Sequence, residues 1–457
     1  MKNKKREVKN ILKKLPSLQL LRFLEPLALL LFMGVFFYTV FSTLPNIVKA
    51  IAIAGSLFAS GAIMARLTNS SNHYGLVIIK GQYGFDLMKN IAKQHPKIVN
   101  ALADFGLSFG FGALYAVYLF KNNPKKLFVH LALILILFAA ATFTASASTV
   151  SPIMLQAVGV LFGLAGVGFA SIVLNAFAIA TIPGTPAGVN FVVPGVTVPW
   201  EAIFAIALIA IVHETAHGVL FFIEKLKVKN SGVLLLGFLP IGAFVEPDEK
   251  QFSKHNIQGR RRILVAGSAS NFYSVLVLLP FSAIAFALVA SMVSGVLISS
   301  VAAGSPSDGL LQNGNVITGI NGVSITNIDS LINALKNVAG SSNAISVQLL
   351  DGRTIPINLD SEGKMGIQIA PYSSPANAIP YAIASFFAEI LKWSVLLSLA
   401  LSVINLLPLF ITDGHHLIAD EIKQLLPKNP QLAKAAVNGL AVLTLLVILF
   451  NALPLIK

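Results

Sequence analysis

AIFAIALIAIVHETAHGVLFFI, residues 202–223, decides how the rest of this chain is read. The run is long enough to cross a hydrocarbon core of about 30 Å, yet it carries His213, Glu214 and His217. Two histidines four apart lie one above the other on one face of a helix. Both imidazoles can then reach one metal ion, with the intervening glutamate beside it as general base. Ionisable groups lodged in hydrocarbon are costly and mark a function. In a charged soluble helix the same five residues would be a weak signal. The apolar flanks on both sides make a metal site the better reading.

Composition agrees with a membrane setting. The chain has 457 residues, of which 55% are hydrophobic and 11% charged, whereas a soluble domain carries about a quarter charged residues. A polytopic α-helical membrane protein is therefore expected. There are no cysteines, which excludes disulfides and thiolate ligands and leaves nitrogen and oxygen to bind any transition metal. The net charge of +14 gathers at the ends of apolar spans. That pattern follows the positive-inside rule and not a nucleic-acid footprint, so no nucleic-acid partner is expected.

Apolar runs of about 20 residues fall near 26–45, 48–66, 102–120, 127–147, 153–180, 200–223, 263–292, 377–403 and 432–454, giving about nine spans. Residues 1–23 begin MKNKKREVKNILKK, basic and then amphipathic, and are expected along the anionic cytosolic surface. Placing the N-terminus inside puts the lysine- and arginine-rich loops 67–100, 224–230 and 249–262 inside as well. Residues 24–195 hold the first spans. Residues 196–293 hold the HETAH helix, a glycine- and proline-interrupted stretch at 231–245 expected to form a re-entrant hairpin, and the span that follows.

Residues 294–371 break the pattern, being polar and rich in Gly, Asn and Asp. GVLISSV reads as a strand, IDSLINALKNV as an amphipathic helix, and ISVQLLDGRTIPINL as a hairpin around Asp351-Gly352. With SPSDGLLQNGNVITGING, this string resembles a bacterial-type PDZ domain. The resemblance implies a small α/β extramembrane domain that binds an extended peptide or C-terminus by strand addition. A domain that only gates access is the alternative. The charge pattern puts it on the extracytosolic side.

Two histidines and a water do not complete a tetrahedral zinc, so a third protein ligand is required. In residues 372–457, Asn405-Leu-Leu-Pro-Leu-Phe-Ile-Thr-Asp413-Gly414 offers one. Pro408 should interrupt the helix before it, and Asp413 is the ligand candidate; the plainer reading is a cap for the next helix. If the HETAH helix starts near Trp200, His213 lies about 20 Å along it. Asp413 reaches that depth only if the chain turns back toward the membrane.

HETAH at 213–217, Gly267-Ser-Ala-Ser-Asn271 and NLLPLFITDG at 405–414 occur in that order, with the PDZ-like string between the last two. This set resembles the site-2 protease family of intramembrane zinc metalloproteases, clearly from about 195 to 420. The resemblance implies Zn²⁺ on His213, His217 and Asp413, Glu214 as catalytic base, and substrate contact by Gly267, Asn271 and Asn405. It also implies single-span membrane proteins as substrates, cut within the lipid bilayer. For each asparagine an interhelical hydrogen bond remains the alternative. A zinc transporter or a noncatalytic membrane adaptor is the competing class. Glu246 and the pair His415-His416 are expected in solvent, and Asp104 is expected to meet an interhelical partner.

Overall fold

The computed structural model describes residues 16–42, 44–144, 152–189, 197–338 and 344–455. Most of the basic segment expected at 1–23 lies outside them. The chain divides into two units, residues 1–276 with 393–457, and residues 277–392.

In the first unit, helices α1 (Pro16–Phe41) and α2 (Asn46–Leu67) lead into strands β1 (Ser71–His73) and β2 (Leu76–Gly81). Then come α3 (Phe85–Gln94), α4 (Pro96–Phe120), α5 (Pro124–Thr144), α6 (Pro152–Thr181) and α7 (Ala202–Ile223), which carries HETAH. Strands β3 (Val228–Leu236) and β4 (Leu239–Pro247) and the short α8 (Glu249–Ser253) lead into α9 (Ile257–Ser291). Among the described residues, seven helices are long and apolar enough to cross a membrane, with a shorter apolar helix at Leu24–Val40. Seven is fewer than the nine spans expected; the expected span at 127–147 falls partly outside the described residues. The architecture is that of a polytopic membrane protein.

Residues 67–100, expected as a loop, contain structure. Strands β1 and β2 join the stretch expected as a hairpin to make an antiparallel sheet in the order β1-β2-β3-β4. Lys80 lies opposite Gly232, and Gly232 opposite Phe244. The strands are short, and β1 is exposed throughout, so they give a weak alternating signal in sequence. Helix α3 follows, amphipathic, burying Phe85 and Met88. The core of this unit gathers Leu107 and Phe109 of α4, Leu220 of α7, and Ile263 and Phe272 of α9, with Leu406 and Leu417.

The second unit contains β5 (Val293–Val301), β6 (Val316–Ile320), β7 (Val323–Ser324), helix α10 (Ile328–Val338), β8 (Ala344–Leu349), β9 (Thr354–Asn358) and β10 (Ile367–Ser373). Its antiparallel sheet runs β10-β5-β6-β8-β9, with β7 on β6. Leu331 and Ala334 of α10 pack with Ile298, Ile317 and Val347 of the sheet. Helix α11 (Ala378–Ile404) runs back into the first unit, where α12 (Asp413–Leu425) and α13 (Pro430–Asn451) complete the chain.

Helix α11 ends four residues before Pro408, so that proline keeps the break open without starting it. The irregular stretch that follows is tied down by its own groups. Gly414 N donates to Asn405 O at 2.7 Å, and Thr412 Oγ1 donates to Leu407 O at 2.6 Å. Thr412, not Asp413, caps α12, accepting from His415 N. Gly414 is required because a Cβ there would collide with the Leu406 carbonyl. Asp413 is thus presented at the first position of its helix with its side chain unused by the cap.

Candidate metal centre

On α7, His213 and His217 are buried, at 6% and 8% exposure. Their Nε2 atoms stand 3.2 Å apart, and each lies 3.3 Å from Asp413 Oδ2. The three ligand atoms form a triangle with nearly equal sides. A tetrahedral ion with bonds of about 2.0–2.1 Å holds its ligands about 3.3 Å apart, so the spacing fits zinc. Among the described residues this is the one such group of histidine and carboxylate ligands.

Ring orientation fits as well. His217 Nδ1 donates to Ile263 O at 2.8 Å; a carbonyl can only accept, so the proton is on Nδ1 and Nε2 keeps its lone pair. Behind His213, the Asn271 amide nitrogen lies 3.0 Å from Nδ1, and Asn271 Oδ1 is buried without a partner. With that amide turned end for end, Oδ1 accepts from Nδ1–H of His213. His213 Nε2 is then also a lone-pair donor. Gly267 faces the two rings, and a Cβ there would collide with both Nε2 atoms.

Asn405 Nδ2 lies 3.3 Å from His213 Nε2, at the edge of the triangle. Asn271 is 0% exposed and stands behind a ring, whereas Asn405 is half-buried. Glu214 Oε2 accepts from Val245 N of β4 at 2.9 Å. A cavity of about 360 Å³ opens here, lined by Glu214, His217 and Asp413 with Val245, Arg260 and His416.

Beyond the triangle most expectations hold, and His415 is the departure, being half-buried. His416 borders this cavity and is exposed, as expected of it. His415 rests against the Phe410 ring; burial, with His416 and Lys423 nearby, holds its imidazole below the usual value. Glu246 is apart from the metal centre, accepting from Asn230 and Lys80, which hold its carboxyl below the usual range. Asp104 has the interhelical partners expected of it, Lys126 and Arg262, together with Gln258. Val245, Arg260 and His416 were not signalled by any motif.

Residues 201–450 match the model of Peptidase family M50. The chain belongs to that family. M50 proteins are zinc-dependent metallopeptidases, and the histidine pair and Asp413 both fall inside the matched region. The chain is also 30% identical over 226 residues to uncharacterized protein MJ0971 of Methanocaldococcus jannaschii, across 49% of this chain and 57% of that protein. It thus spans little more than half the length of that relative.

Proposed function

We propose that this M50 protein is an intramembrane zinc metalloprotease that hydrolyses peptide bonds within or near the membrane-spanning segments of single-span proteins. The observation that carries the reading is the convergence of two imidazoles from an apolar helix with a carboxylate almost 200 residues away, at the spacing of a tetrahedral ion. His213, His217 and Asp413 would hold the zinc. When bound, it would supply a water of lowered pKa and polarise the scissile carbonyl.

The remaining work falls to the chain's own groups. Glu214 is held through Oε2 by Val245 N–H, which leaves Oε1 to take a proton from the attacking water. The same carboxyl then passes that proton to the departing amide nitrogen. Asn405 Nδ2, 3.3 Å from His213 Nε2, would be a donor for the negative charge that develops on the scissile carbonyl. A helical peptide bond has its amides already paired, so cutting it needs substitute partners. Strand β4 ends its sheet and turns a backbone N–H toward Glu214, which supports strand addition by an unwound substrate.

Residues 294–371 are read as a PDZ-like domain that binds an extended peptide or C-terminus. The charge pattern supports a cytosolic N-terminus and an extracytosolic position for this domain. A zinc transit path would need further ligand clusters, and among the described residues the one group is His213, His217 and Asp413, which favours the protease. Cleavage of a labelled transmembrane peptide in proteoliposomes, with zinc flux followed in the same vesicles, tests the assignment. Wild type should cut the peptide, and Glu214→Gln should retain zinc and not cut. Turnover by Glu214→Gln at the wild-type rate, or zinc flux without cleavage, would remove the protease reading.

A further inference from the structure

Arg260, Arg261 and Arg262 are consecutive at the start of α9, and each meets a different acid. Arg262 pairs with Asp104 of α4. The other two reach α12, the helix that begins with Asp413. Arg260 Nη2 donates to Asp420 Oδ1 at 2.6 Å, and its Nη1 to Ser253 O at 2.7 Å. Arg261 grips Glu421 with two bonds, Nε to Oε1 at 2.6 Å and Nη2 to Oε2 at 2.7 Å. Tyr115 OH donates to the same Oε1 at 2.7 Å. Side-chain exposures in both pairs are low, 18% and 7% for Arg260 and Asp420, 9% and 14% for Arg261 and Glu421.

We propose that these two ion pairs are a positioning clamp that sets Asp413 against His213 and His217. The inference rests on the metal-site reading above. Asp420 and Glu421 lie two turns along α12 from Asp413, on the face that buries Gly414 and Leu417. A two-pronged guanidinium–carboxylate contact fixes direction as well as distance. It resists both rotation of α12 and sliding, in which one residue of slip moves a carboxylate by about 1.5 Å. The other half of the centre is gauged from the same helix. Two residues after Arg261, the Ile263 carbonyl holds His217. One turn further Gly267 meets both rings, and Asn271 stands behind His213. Helix α9 thereby references the third ligand and the first two to a single frame.

The test uses the purified full chain in detergent. Arg261→Glu, Glu421→Arg and the exchanged pair are compared, with Glu421→Gln as the milder probe where a reversal does not fold. Zinc affinity is measured by chelator competition, ligand geometry by the electronic spectrum of the cobalt form, and fold by melting of the metal-free protein. Each single change should weaken zinc by about 10–100-fold and alter the cobalt bands. The exchanged pair should return affinity to within about threefold of wild type. A folded Glu421→Gln protein with wild-type affinity and spectrum overturns the clamp, as does an exchanged pair that folds without regaining affinity. Wild type that takes up no zinc would instead remove the metal site itself, and the clamp with it.

Discussion

Two carboxylates in this chain, one buried and one half-buried, keep opposite company. Asp104 of α4 is 1% exposed and accepts from Lys126, from Gln258 and from two nitrogens of Arg262. Asp413 meets two imidazole nitrogens, each of which has its proton, or a partner able to take one, on the far side of the ring. Around Asp104 the neighbours are proton donors that fill its lone pairs, so the group is complete as it stands. Around Asp413 the neighbours are lone-pair donors that converge on a shared point. Charge does not separate a structural acid from a ligand; the kind of donor opposite it does.

The sharpest break between the two would come from removing each in turn. Asp413→Ala is expected to lose stoichiometric zinc and to reduce cleavage by roughly 10³-fold or more, read by elemental analysis and peptide cleavage; full zinc retention would assign the third ligand elsewhere. Asp104→Asn should do the reverse, lowering stability by about 3 kcal/mol because the half-buried Lys126 and Arg262 lose their shared counter-charge. Zinc per folded molecule should stay at the wild-type value, and denaturation in detergent with metal analysis of the folded fraction tells the two effects apart. Gly267→Ala, which pushes a methyl against both rings, should weaken zinc about 10–100-fold with a smaller change in melting. Unchanged affinity would mean the rings yield easily. The smallest effect belongs to Glu246→Gln: the side chains of Glu246 and Lys80 are 38% and 53% exposed, so at most about 1 kcal/mol is expected, with zinc and cleavage unaltered.

The metal centre was legible because its ligands sit in short motifs whose spacing has a mechanical reason. His213 and His217 need only one helical turn, and Asp413 follows a proline-broken apolar span. In the second unit the amphipathic α10 and the hairpin around Asp351-Gly352 were equally readable from period and turn chemistry. What escaped was pairing between distant segments. Arg260 to Arg262 read as surface charge beside a membrane, yet two of their acids are 160 residues away. Strands β1 and β2 were missed because their partner β3 lies far along the chain and β1 has no buried face to alternate. Val245 left no trace at all, since its contribution is a backbone hydrogen.

That last contact has a consequence for how the protein can vary. Glu214 leans on main chain, so any amino acid at 245 that keeps its amide hydrogen supplies the same support. Side-chain drift along β4 could retune which peptides are accepted while leaving the base anchored. Only proline, lacking that hydrogen, would cut the tether, and Val245→Pro would leave the carboxylate to swing within an otherwise intact centre.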